Sequence, residues 1–149
     1  MLDYEYNTKG ATMRLDQARA FVTEVNAKTG RLPGLYSGNF IKQQAGNNID
    51  PVLSQCFFWL AQYRPNAVVP SIWPSKRVAG KSLIIGKTWK ATLFPVLTPE
   101  GSPWAKWTLW QYTDGNVGPE PPTVPGIGAC DRDKFNGDLD RLKALWGVR

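Results

Sequence analysis

Over its first 63 residues the chain alternates short apolar runs with stretches of helical spacing, and few folds accept that rhythm. Leu2-Asp3-Tyr4-Glu5 reads as a strand. Thr12 can cap a helix running to about Lys28, with Leu15, Ala18, Phe21, Val22 and Val25 at helical spacing and Gly30 as its stop. Pro33 to Ser37 reads as a short buried strand. Asp50-Pro51 is a helix start, with Asp as cap and Pro in the first turn, for a short helix ending near Gln55 or Cys56. The continuous apolar run from Phe57 to Tyr63 suits a strand buried on both faces. Strand, helix, strand, helix, strand with short connections predicts a parallel α/β sheet or barrel.

Residues 70–103 break the rhythm, punctuated by Pro70, Pro74, Pro95, Pro99 and Pro103. Within them Ser82 to Ile85 and Thr88 to Leu93 are spaced to pair as a hairpin across Gly86-Lys87. A further strand is expected over Trp107 to Tyr112, then a loop rich in Gly and Pro over 115–128. The last helix is expected from about Phe135 to Trp146, with Phe135, Leu139, Leu142, Leu145 and Trp146 as its apolar face. The 149 residues suffice for one domain with a real core.

The residues missing from the chain narrow its chemistry. It has no histidine, which excludes Ser-His-Asp and Cys-His sites and the H-E-x-x-H zinc site. Its two cysteines, Cys56 and Cys130, are too few for a zinc finger or a disulfide scaffold; they are free thiols or one bridge. No metal or cofactor is expected, and acid–base work falls to carboxylates, Lys or Tyr. No apolar stretch is long enough to span a membrane, and no signal peptide is visible. The net charge of +6 comes from scattered Lys and Arg, five of them within 76–90. That is a solvated face, or long-range attraction to an anionic polymer such as nucleic acid or bacterial cell wall.

Asp3 and Glu5 stand two apart on a strand, so both project to one side, roughly 7 Å apart. That face lacks a nearby Lys or Arg in sequence to neutralise it. Like charges that close push one pKa up, and a protonated acid beside an ionised partner is the equipment for cleaving a glycosidic bond. In a parallel barrel functional side chains sit at the C-terminal ends of strands. Asp3 and Glu5 meet that description, as do Tyr36, then Trp59 with Gln62 and Tyr63, then Gln111 with Tyr112 and Asp114. Seven Trp and five Tyr can stack on sugar rings or merely fill a core.

Taken in order, the motifs resemble a family. They are Leu2-Asp3-Tyr4-Glu5, Pro33-Gly34-Leu35-Tyr36-Ser37-Gly38, Trp59-Leu60-Ala61-Gln62-Tyr63, Trp107-Thr108-Leu109-Trp110-Gln111-Tyr112-Thr113-Asp114-Gly115 and Cys130-Asp131-Arg132-Asp133-Lys134-Phe135-Asn136-Gly137. This set is similar to the family 25 glycoside hydrolases, lysozymes that act as N-acetylmuramidases on bacterial peptidoglycan. The resemblance implies a modified β/α barrel that cuts the β-1,4 bond from N-acetylmuramic acid to N-acetylglucosamine. It makes Glu5 the general acid. Asp3 would steer the substrate acetamido group or stabilise the cationic transition state. Asp131 corresponds to a further acidic residue after the last barrel strand. Tyr36, Trp59, Gln111 and Tyr112 map to the groove that contacts sugar. Gln62 and Trp110, in the same motifs, complete the candidate substrate-binding set.

In the family the Asp-x-Glu strand is near the fourth of the barrel, whereas this sequence begins with it. An eight-stranded barrel needs at least about 200 residues. The expected fold is therefore a partial TIM-like α/β barrel without its N-terminal strands, a single domain over 1–149 with an insertion at 74–103. An uncovered edge and core face would invite self-association. The expected partner is peptidoglycan, outside the cell or in the wall, with neither membrane nor nucleic acid. The rival readings are a non-catalytic wall-binding remnant and, ranked below it, a basic single-stranded nucleic-acid binder.

Overall fold

The computed structural model describes residues 1–46, 48–63, 104, 107–118 and 123–148. In chain order the elements are β1 (Leu2–Asp3), α1 (Leu15–Thr29), β2 (Leu35–Ser37), α2 (Asn39–Ala45), a 3-10 turn (Leu53–Gln55) and β3 (Phe58–Ala61). They continue with β4 (Leu109–Thr113), β5 (Thr123–Val124), β6 (Gly128–Ala129), β7 (Arg132–Phe135) and α3 (Leu139–Trp146). Among the described residues no helix is long and apolar enough to cross a membrane.

Five strands form one sheet in the order β1-β2-β3-β4-β7. The first four run parallel and β7 runs antiparallel to β4. Among the described residues β1 and β7 are its edges, so the sheet they form is an open piece of a barrel. Its back face is the core. Leu2, Tyr4, Leu35, Phe58, Leu60 and Trp110 are buried there with Ala18 and Val22 of α1 and Ile41 of α2. Phe58 stacks on Trp104 with ring centroids 4.5 Å apart, and the Trp104 indole N–H donates to the Cys56 carbonyl at 2.9 Å. Cys56 and Cys130 are both free, and burial pushes the Cys56 thiol up to about 11.

α1 begins two residues later than the Thr12 cap implied. Arg14 is its N-cap, with its backbone N–H donating to the Gln17 side chain, and Gly30 closes it in the left-handed conformation. The Thr12 hydroxyl instead accepts from the Asn7 N–H. Phe21 is exposed, so Ala18 and Val22 hold the packing stripe. The helix expected at 50–56 is a 3-10 turn. Asp50 does cap it, accepting from the Val52 and Leu53 N–H groups, but the crossover helix between β2 and β3 is α2.

The run at 57–63 is a correction too. β3 alternates buried and half-buried residues, and Trp59 and Ala61 look away from the core. Phe135 belongs to β7, opposite Leu109, because residues 132–135 pair with β4. The last helix therefore starts only at Leu139, capped by Asp138. Within the Gly- and Pro-rich loop, β5 and β6 form a small two-stranded ladder. The expected hairpin at 82–93 and the insertion at 74–103 lie outside the described residues.

Tyr4 tests the core directly. It is fully buried, its ring 5.1 Å from that of Phe40, and among the described residues its hydroxyl has no hydrogen-bond partner. A buried unpaired hydroxyl costs about 1–3 kcal/mol. Tyr4→Phe keeps the ring and removes the orphan, so urea unfolding is expected to show a gain of about 1 kcal/mol. A loss of stability would mean that the hydroxyl is satisfied.

Candidate active site

Strand alternation and register assemble the open face. Asp3 pairs with Tyr36, Tyr36 with Trp59, Trp59 with Leu109 and Leu109 with Phe135 across the five strands. Side chains opposite one another share a face, so these form one row. The next row, toward the C-terminal ends of β3 and β4, holds Ala61, Gln111 and Asp133. Glu5 lies two residues beyond the end of β1, and its charge reaches Tyr36 and Tyr63 on this face. The reversed direction of β7 matters here. Its beginning, with Asp131 just ahead of it, lies at the same end of the sheet as the ends of the parallel strands.

Glu5 carries the electrostatic signature expected of the acid pair. Burial raises its pKa first, and the neighbouring Asp3 charge raises it further. Repulsion between the two acids therefore acts, but desolvation is the larger cause.

Between the acids at the two edges lies a hydrogen-bonded trio. The hydroxyls of Tyr36 and Tyr63 both donate to the Gln111 side-chain oxygen, the second at 2.7 Å, and they lie 3.2 Å from each other. Gln111 is 5 % exposed, so its amide is fixed beneath the two rings. Burial raises both phenols above their ordinary range, Tyr36 far above it, while the bond to Tyr36 partly opposes the rise at Tyr63. The charges of Glu5 and Asp3 add to this at Tyr36, and those of Glu5, Asp131 and Asp114 at Tyr63. The trio thus senses carboxylates from both edges of the sheet and its two phenols remain neutral donors.

Trp59 also lies on this face. Its indole N–H donates to the Asp133 carboxylate at 2.6 Å, and the Tyr36 ring meets it edge-on with centroids 5.6 Å apart. Burial raises the Asp133 pKa, the Trp59 bond opposes this, and the Asp131 charge raises it again.

Of the expected substrate-binding residues, Tyr36, Trp59 and Gln111 come together with Asp3 and Glu5 on one face. Trp110 and Tyr112 do not. Trp110 is 2 % exposed in the core, its indole N–H bonded to the Gln62 carbonyl at 3.0 Å. Tyr112 packs against Trp110, and the Arg132 guanidinium lies over its ring. Gln62 follows Leu60 by two and continues the same back-face side. Asp114 turns back on its own loop, accepting from the Asn116 and Val117 N–H groups. Two residues outside the candidate substrate-binding set stand at the site. Tyr63, named with Trp59 and Gln62 as a strand-end candidate but not carried into that set, is two past Ala61 and so on the same face. Asp133 would have been found only by reading 132–135 as a strand.

Comparison with solved structures gives the same fold. The chain superposes on a muramidase from Acremonium alcalophilum with a TM-score of 0.54 at 26% identity, covering 96% of this chain and 53% of that one. A family GH25 lysozyme from Aspergillus fumigatus matches at TM-score 0.54 and 27% identity, with the same coverages. A bacterial lysozyme from Streptomyces coelicolor matches at 0.55 and 25%, again over 96% and 53%. The fold is that of the family 25 lysozymes, and the chain spans about half the length of these structures. No protein-family model matches the sequence, and no curated protein matches it.

Proposed function

We propose that this chain carries the acid and part of the sugar groove of a lysozyme-type muramidase. The reaction is hydrolysis of the β-1,4 bond between N-acetylmuramic acid and N-acetylglucosamine in bacterial peptidoglycan. One observation carries the reading: Glu5, its pKa raised by burial and by Asp3, shares a strand-end face with the Tyr36–Gln111–Tyr63 trio. A carboxyl group kept protonated can hand its proton to the leaving glycosidic oxygen. Asp3 stays beside it to offset positive charge growing on the sugar ring or to orient the acetamido group. Asp131 closes the far end of the row. Likeness in fold to proteins named as muramidases supports the substrate class. The net charge of +6 suits an anionic wall, so the cell wall is the expected place of action.

The test is turbidity clearing of purified peptidoglycan together with release of new reducing ends. Retention on cell walls without that release favours the alternative, a non-catalytic peptidoglycan-binding remnant. The pH profile adds a sharper expectation. General-acid activity is lost as pH rises through the Glu5 pKa, so the raised value extends the alkaline limb upward. In Asp3→Asn one of the two causes is removed, and the alkaline limb of residual kcat/KM is expected at lower pH than in the wild type. Burial, the larger cause, remains, so the limb should stay above that of an ordinary glutamate. An unmoved limb would detach Asp3 from the acid.

A further inference from the structure

Trp59 reaches further across the open face than its strand alone allows. β3 and β7 are separated by β4, yet the Trp59 indole N–H meets the Asp133 carboxylate at 2.6 Å. Neighbouring strands are about 4.8 Å apart, so the ring must extend over β4 to make that bond. Leu109, its register partner there, is 5 % exposed. From the β2 side Tyr36 meets the ring edge-on, and from α3 Trp146 approaches with centroids 6.5 Å apart. A half-exposed indole has water to bond with; a short bond to a carboxylate is charge-assisted and holds its orientation better.

We propose that Asp133 is a positioning residue: by holding the Trp59 indole N–H it fixes that ring across the groove floor, as the platform on which a sugar ring of the glycan stacks. The inference rests on the muramidase reading and adds to it a residue that reading does not use. The apolar face of a pyranose packs on an aromatic face, but a ring free to swing must be ordered at the moment of binding. Asp133 meets that ordering cost beforehand. It does so through Trp59, without touching glycan.

The test uses the full chain, a soluble N-acetylglucosamine–N-acetylmuramic acid tetrasaccharide, and the Trp59 indole proton resonance, identified by its loss in Trp59→Phe. Asp133→Ala is expected to shift that resonance upfield and to raise KM about fivefold to tenfold, with kcat within about twofold. Asp133→Asn, whose amide oxygen accepts the same N–H, should recover most of the lost affinity. In the double variant Trp59→Phe, Asp133→Ala the two losses should be less than additive, as for side chains acting through one bond. An unshifted indole resonance, an unchanged KM in Asp133→Ala, or equal losses in the Ala and Asn variants would each overturn the proposal. Should Asp133→Ala not fold, the Asn variant and the Trp59→Phe pairing with it decide the same question. A wild-type chain that neither binds nor cleaves the tetrasaccharide would instead overturn the muramidase reading, while the indole resonance still reports on the Asp133 bond.

Discussion

Glu5→Gln is expected to slow peptidoglycan clearing by about 10²–10⁴-fold, the range that a positioned general acid supplies. Glutamine keeps the shape and hydrogen-bonding reach of the side chain but has no acidic proton to give. The fold should not suffer. The Glu5 pKa is raised in the folded chain, so its contribution to stability is complete below the unfolded value and is lost as pH rises through the folded one. At neutral pH the ionised form works against folding, through burial and through Asp3. The neutral amide removes both effects, and the melting temperature of the variant at pH 7 should equal or exceed that of the wild type. At pH 3, where Glu5 is protonated in both states, the two proteins should melt together. Lost clearing with intact melting assigns the proton to Glu5. Clearing within a few-fold of the wild type would remove Glu5 from the mechanism.

The legibility of this site in the sequence follows how each residue is held. Asp3 and Glu5 are readable because alternation on a strand is local and needs no partner. The parallel order of β1, β2 and β3 follows from the spacing of apolar runs. Trp110 and Tyr112 mislead because sugar-binding and core-filling aromatics have the same composition. Alternation in fact contains the answer: Gln111 lies between them, so it cannot share a face with either, and only one of the two faces meets Asp3. Register decides which, and a slip of one residue reverses every side chain. The segment Arg132-Asp133-Lys134-Phe135 has no strand preference of its own; pairing with β4 makes it a strand, a tertiary decision that overrides local composition. α2 escapes notice because seven residues give too few turns for a periodic signal.

Asp50→Ala is expected to be the most damaging of the single changes for stability, at about 3 kcal/mol, from a lost cap and lost bonds to a charged acceptor. The Asp50 side chain is 3 % exposed and serves three donors at once. One oxygen accepts from the N–H groups of Val52 and Leu53, opening the 3-10 turn; the other takes the Arg19 guanidinium at 2.7 Å. Alanine leaves two backbone donors without that acceptor and frees Arg19, which is 43 % exposed and can turn to water. The loss therefore comes mostly from the turn. An asparagine side chain at this position restores an acceptor for the turn without the charge, so Asp50→Asn should cost less than half as much. Acidity separates the two causes. Burial pushes the Asp50 pKa up, but the Leu53 N–H, Arg19 and the Val52 N–H together hold it below the usual range. Its charge-linked stabilisation is present above the unfolded value and is lost as pH falls through the folded one. Urea unfolding should thus separate wild type from Asp50→Asn at pH 7 and bring them together in strong acid, while Asp50→Ala stays the least stable throughout. The consequence reaches the site, because the Asp50–Arg19 pair ties α1 to the turn that leads into β3. If that tie orders the back of the sheet, Asp50→Ala should lose Glu5-dependent clearing at temperatures where the wild type is still folded. A variant as stable as the wild type would show that the turn holds without its cap.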